Sequence, residues 1–104
     1  MVKNKSRIKV SRQKIVEFCK RNHIRRLSFF GSVLRDDFTP SSDIDVLVEF
    51  DPVNVPGLFD LTRMEEELSS ILGGRKVDMR TPEDLSKYFR DYVLSTAEKM
   101  YAET

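Results

Sequence analysis

Apolar and polar positions along this chain follow two different periods. Residues 11–22 repeat at helical spacing. Ile15, Val16 and Cys19, with Phe18 beside them, form one stripe; Ser11 suits an N-cap and Asn22 a stop. Residues 25–30, RRLSFF, switch to a two-residue period with Leu27 and Phe29 on one face. Gly31 interrupts that run, and Ser32 to Arg35 fit one helical turn before DDFTPSS, a loop by composition. Residues 43–50, DIDVLVEF, carry the strongest strand pattern, with Ile44, Val46, Val48 and Phe50 sharing a face.

After the loop DPVNVPG, helical spacing returns over residues 58–72 through Leu58, Leu61, Met64 or Glu65, Leu68, Ile71 and Leu72, and Gly73 and Gly74 end it. Residues 75–80, RKVDMR, suit a short strand. The run TPED reads as a helix start, with Thr81 as cap and Pro82 at the first position. The spacing predicts that this helix continues, broken near Arg90, through Val93, Leu94, Ala97 and Tyr101. The order α, β, β, α, β, α predicts an α+β (mixed α/β) domain with a sheet of about three strands or slightly more. Residues 1–10 are expected to be a loose start, and 11–104 one domain.

Composition narrows the class. Of 104 residues, 39% are hydrophobic and 34% charged, which is a globular composition with a heavily charged surface. Eighteen basic and 17 acidic residues nearly cancel, so net charge does not argue for nucleic acid. Basic residues do crowd residues 1–26, where Glu17 is the single acid; a solvated helix face is the simpler reading, and phosphate attraction the other. Nucleic-acid binding through this segment is the weakest functional reading, because no base-reading motif accompanies it. One cysteine, Cys19, excludes an internal disulfide, suits a buried small hydrophobe and makes a cytoplasmic location the expectation. No run approaches the ~20 apolar residues of a membrane span. The lone His23 and lone Cys19 do not support a structural zinc site.

The chemistry lies in GSVLRDDFTPSSDID, residues 31–45. On a strand, Asp43 and Asp45 project to the same side, about 6–7 Å apart along the chain. Two close carboxylates raise each other's pKa unless a cation sits between them. Oxygen ligands alone suit Mg²⁺, which completes its shell with water and substrate phosphates. Two such ions about 3.5–4 Å apart can clamp an in-line phosphoryl displacement. Asp78, central in RKVDMR, is placed to join them if its strand neighbours residues 43–50. Gly31 and Ser32, between a strand and a helical turn, suit a phosphate, and Arg35 lies one turn on. Each piece has a plainer reading: solvated turn carboxylates, an ordinary strand-ending glycine, an Asp78 ion pair with Arg75, Lys76 or Arg80, and a solvated Arg35. The combination and its spacing carry the case.

That combination, Gly31-Ser32, ten residues, then Asp43-Ile44-Asp45, resembles the signature of nucleotidyltransferases of the DNA polymerase beta superfamily. FFGS at a strand end, SSDIDVLVEF and KVDMRTPEDL extend the likeness over about residues 11–101, most closely to the minimal nucleotidyltransferases. The resemblance implies a mixed sheet with helices mainly on one face. It implies that Asp43, Asp45 and Asp78 bind Mg²⁺, two ions in all, and that Gly31 and Ser32 hold the phosphates of a nucleotide triphosphate. It implies transfer of a nucleoside monophosphate to a hydroxyl with loss of pyrophosphate. Many members are antitoxins of a HEPN-type toxin encoded nearby, and some attach AMP from ATP to a toxin tyrosine. A stoichiometric antitoxin with weak or no catalysis is the alternative. In the family a glycine often follows the arginine; here Asp36 and Asp37 follow Arg35, two negative charges near the expected triphosphate. A chain of this length leaves no room for a second substrate-binding domain, so an assembly with the acceptor partner is expected.

Overall fold

The computed structural model describes residues 10–35, 38, 39 and 41–103. The expected loose start lies, but for Val10, outside the described residues, as do Asp36 and Asp37. Helix α1 (Arg12–Arg21) is followed by β1 (Ile24–Phe30), a 3₁₀ turn (Gly31–Leu34) and β2 (Ile44–Phe50). Helix α2 (Leu58–Ile71), β3 (Val77–Arg80), a 3₁₀ turn (Pro82–Asp84), α3 (Lys87–Thr96) and β4 (Glu98–Ala102) complete it. The sheet runs β3-β2-β1-β4, with β2 and β3 parallel and the other two pairings antiparallel.

Local signals explain most boundaries. Ser11 Oγ accepts a hydrogen bond from the Lys14 N–H at 3.3 Å, and the Asn22 N–H closes α1 onto the Phe18 carbonyl. The parallel β2–β3 pair needs a crossover, and α2 supplies it. Helix α2 ends where Gly73 and Gly74 take positive φ, with the Gly74 N–H returning to the Ser69 carbonyl at 2.8 Å.

The two-residue period sorts the sheet into two faces. Leu27 and Phe29 of β1, Ile44, Val46 and Val48 of β2, Val77 and Met79 of β3 and Met100 of β4 pack under α1 and α2. Ile15, Phe18 and Cys19 come from α1, and Met64 and Leu68 from α2. Burial pushes the Cys19 thiol up to about 12, the behaviour of a packed, unreactive side chain. On the opposite face Phe30, Leu47, Leu85 and Val93 make a smaller cluster beneath α3. The expected α+β architecture with helices mainly on one face is the one observed.

The C-terminal third departs from the expectation. The helix predicted from Thr81 to Tyr101 is a 3₁₀ turn over Pro82–Asp84, a separate α3 over Lys87–Thr96, and then a fourth strand. The break falls at Leu85–Ser86, not near Arg90. Arg90 bridges it, donating to the carbonyls of Pro82 at 2.6 Å and Leu85 at 3.0 Å. Beyond α3, pairing with β1 overrides helical spacing: Arg26 faces Ala102 and Leu27 faces Tyr101 across the ladder. A helix through Tyr101 would leave that edge of β1 unpaired and remove Met100 from the core. The opposite edge is covered differently: Glu65 of α2 accepts the Met79 N–H of β3 at 2.8 Å.

Candidate active site

The same alternation that buries Ile44 and Val46 turns Asp43 and Asp45 toward the other face. Asp45 lies directly beside Asp78 in the parallel β2–β3 register, as Ile44 lies beside Val77 and Leu47 beside Arg80. Asp78 therefore shares a face with Asp45, and the neighbouring strand foreseen for it is present. Asp43 is exposed, while Asp45 and Asp78 are half-buried.

Asp45 is the electrostatic centre of this group. Burial raises its pKa first, and the charges of Asp78 and Asp43 raise it further; Arg80 and Arg35 pull it down. Asp78 is held by Arg80, whose Nε and Nη2 donate to its two oxygens at 3.1 and 3.2 Å. Of the three cations weighed as partners for Asp78, Arg80 is the one that pairs with it. Lys76 approaches Asp43 instead, at 4.0 Å across exposed side chains. Arg75 turns away: it donates to the Thr39 carbonyl at 2.6 Å and covers the Phe38 ring at 4.4 Å. Glu49, further along β2 on this face, pairs with Arg26 at 3.7 Å.

Gly31 meets the carboxylates from the end of β1. Its φ is +76°, and a Cβ built there would stand 2.3 Å from Asp45 Oδ2. Two independent constraints thus demand glycine: a left-handed backbone and the close approach of a carboxylate. Phosphate access suggested this glycine from the sequence; packing against Asp45 is an additional reason. Ser32, half-buried, follows in the 3₁₀ turn, and the Arg35 N–H caps it by donating to the Ser32 carbonyl at 2.9 Å. Arg35 is exposed, and its charge reaches Asp45. All six candidate residues therefore gather at one end of β1, β2 and β3.

The donor set fits a hard divalent cation: oxygen ligands only, and a central carboxylate destabilised by its like-charged neighbours. Among the described residues, no three His, Cys, Asp or Glu side chains stand close enough together to hold a metal ion by themselves. Mg²⁺ usually keeps several waters and needs only one or two carboxylates, taking the rest of its shell from substrate phosphates.

A cavity of about 240 Å³ adjoins this cluster, bordered by Gly31 and Arg35 on one side and by Phe89, Tyr92 and Val93 of α3 on the other. The sequence leaves the apolar face of residues 85–101, Phe89 and Tyr92 included, equally open to sheet packing or to docking, and does not reveal a cavity there. The signal was present in Phe89 and Tyr92, three residues apart and so on one helix face, but spacing alone cannot tell a buried face from an open one. In the structure Leu85 and Val93 are buried, whereas Tyr88, Phe89, Tyr92 and Leu94 stay exposed.

The nucleotidyltransferase domain model matches residues 12–100. The chain belongs to the nucleotidyltransferase domain family. A candidate protein adenylyltransferase of Methanocaldococcus jannaschii is 35% identical over 86 residues, 83% of this chain and 89% of its own. The protein adenylyltransferase MntA of Thermococcus cleftensis is 36% identical over 59 residues, 57% of this chain and 58% of its own. Among solved structures, a candidate minimal nucleotidyltransferase superposes with a TM-score of 0.68 at 32% identity, covering 83% of this chain and 85% of that one. A toxin–antitoxin complex with AMP-PNP gives 0.71 at 18% identity over 91% and 76% of the two chains, a likeness of fold. This is a minimal member of the nucleotidyltransferase family, with the family's mixed sheet. Among the described residues, no helix is long and apolar enough to cross a membrane.

Proposed function

We propose that this chain is a cytoplasmic, Mg²⁺-dependent protein adenylyltransferase. It transfers AMP from ATP to a tyrosine hydroxyl of a HEPN-type partner toxin encoded nearby, and so acts as that toxin's antitoxin. The observation that carries the reading is the juxtaposition of Asp43, Asp45 and Asp78 on the open face of the sheet, with Gly31 packed against Asp45. The relatives named as protein adenylyltransferases support the reaction class. The toxin–antitoxin complexes of the same fold, one of them with AMP-PNP, support the partner and the nucleotide.

In this reading Asp43 and Asp45 would hold Mg²⁺, with Asp78 completing the set in exchange for part of its pairing with Arg80. Bound Mg²⁺ would neutralise triphosphate charge and make the α-phosphorus more electrophilic. Gly31, Ser32 and Arg35 hold the phosphates and fix the direction in which pyrophosphate departs. The acceptor oxygen forms a bond to the α-phosphorus, the bond from that phosphorus to pyrophosphate breaks, and the acceptor's proton is released. Orientation is the chain's main contribution, because an in-line displacement depends on alignment.

Intact mass of the neighbouring-gene partner, after incubation with this chain, Mg²⁺ and ATP, tests the proposal. A gain of whole AMP units, absent when Asp43→Asn and Asp45→Asn are combined, is expected. An unchanged partner mass, or a gain that survives the double substitution, would contradict it. The exposed Tyr88, Phe89, Tyr92 and Leu94 on α3 favour one other reading, a stoichiometric antitoxin that masks its toxin by contact. That reading requires silencing without ATP at equimolar protein.

A further inference from the structure

We infer that the cavity between the Gly31–Arg35 turn and α3 is the seat of the nucleotide's base. It takes that base by the faces of Phe89 and Tyr92, favouring purines while discriminating little between adenine and guanine. This inference rests on the nucleotidyl-transfer reading and adds to it the place and manner of base recognition.

Three features of the cavity single out this occupant. The first is continuity: Gly31 and Arg35 border the cavity, Gly31 also touches the Asp45 carboxylate, and the charge of Arg35 reaches Asp45. Phosphates held at Gly31 therefore have the cavity one ribose away. The second is size. About 240 Å³ falls below the ~300–1,000 Å³ of pockets that enclose a whole drug-sized ligand. It is room for one ring system, not for a nucleotide or a folded peptide segment.

The third is the chemistry of the walls. Phe89 and Tyr92 lie nearly parallel, 18° apart with centroids at 6.5 Å, and Phe89 meets Phe30 edge to face. Phe89 and Tyr92 are 47% and 60% exposed, so their rings still have area to give to a ligand. Base–aromatic stacking tolerates any base but grows with ring area, which favours purines. Of the polar side chains that line the cavity, Thr96 Oγ1 already donates to the Tyr92 carbonyl at 2.8 Å, Arg35 is assigned to the phosphates, and the Tyr92 hydroxyl sits on a ring that is itself 60% exposed. Edge readout by fixed donors is therefore sparse, and adenine and guanine are treated alike.

The test compares ATP, GTP, CTP and inorganic tripolyphosphate by calorimetry in Mg²⁺, on the full chain and on Phe89→Ala and Tyr92→Ala. Both rings are exposed, so each variant is expected to fold, and the two serve as checks on each other. The inference predicts that ATP and GTP bind within about tenfold of each other and more tightly than CTP. Each substitution weakens ATP by about tenfold and leaves tripolyphosphate unchanged. If ATP affinity is unchanged in both variants, the cavity does not hold the base; a raised KM for the protein acceptor would then assign it to the acceptor. If ATP binds the full chain no more tightly than tripolyphosphate, the inference fails while nucleotidyl transfer stands. If neither binds, the nucleotidyl-transfer reading fails and this inference with it.

Discussion

On one face of the sheet, Leu27, Phe29, Ile44, Val46 and Val48 disappear beneath α1 and α2. On the other, Asp43, Asp45 and Asp78 stand at neighbouring strand ends, and the helix on that face, α3, is anchored mainly by the buried Val93. The strands are the same and the phase of the side chains differs by one residue. The closed face is organised by removal of apolar area from water, which tolerates any shape that fills space. The open face concentrates like charge and leaves aromatic rings uncovered, arrangements that reduce stability unless a ligand repays them. Stability and chemistry are thus segregated by the pleat, so changes on one face should leave the other's property largely intact.

The largest expected effect is on the open face. Combining Asp43→Asn with Asp45→Asn should reduce adenylyl transfer by at least about 10²-fold, since losing metal stabilisation of a phosphoryl transition state costs several kcal/mol. Single-turnover kinetics measure it, and the denaturation midpoint of the variant should not fall. The counterpart on the closed face is Phe29→Ala. Phe29 is fully buried, and its loss should lower unfolding free energy by roughly 3–5 kcal/mol in a urea titration. Fully folded protein below the transition should keep its nucleotide affinity.

A pair of glycines sharpens the distinction. Gly31 and Gly73 both have positive φ, but a Cβ at Gly31 collides with Asp45 whereas one at Gly73 meets nothing within 4 Å. Gly73→Ala should cost only the left-handed backbone, about 1–2 kcal/mol, with transfer unchanged. Gly31→Ala should show the same backbone cost and also lose transfer, because Asp45 must move.

Asp45 predicts a pH signature. Burial and its acidic neighbours raise its folded pKa above the ordinary 3.8, so the folded state holds its proton more tightly than the unfolded state does. That contribution to stability is complete below about pH 3.8 and is lost as pH rises through the folded pKa. Asp45→Asn should therefore unfold at a higher temperature than the parent near neutral pH in the absence of divalent metal. The difference should shrink as pH falls toward 3.8, as thermal melts across that range would record. The smallest effect belongs to Arg80→Met: its exposed pairing with Asp78 should change stability by less than about 1 kcal/mol in the same urea titration.

How much of this was legible in the sequence follows from the length scale of each signal. The faces of β1 and β2, the Ser11 cap, the Gly73–Gly74 stop and the acidic face were readable because each is set within a few residues. The sequence placed Asp43 and Asp45 on one face by period alone; that Asp78 would lie beside Asp45 needed the β2–β3 pairing, which Asp78's position in a short strand only suggested. Residues 98–102 were misread because helical spacing of Val93, Leu94, Ala97 and Tyr101 persists past the end of α3, and only the unpaired side of β1 determines the outcome. The Phe89–Tyr92 cavity was invisible for a related reason: it exists between elements far apart in the chain. Gly31's contact with Asp45 is likewise a property of two strands meeting.

In the proposed function the open face holds a metal-bound nucleotide on Asp43, Asp45 and Asp78. Titration of Mn²⁺ into the protein with a non-hydrolysable ATP analogue, followed by electron paramagnetic resonance, tests it most directly. Mn²⁺ should bind beyond what the analogue alone takes up, and this binding should be lost with Asp43→Asn/Asp45→Asn and retained with Phe29→Ala below its unfolding transition. Equal binding by the parent and the double Asn variant would contradict it.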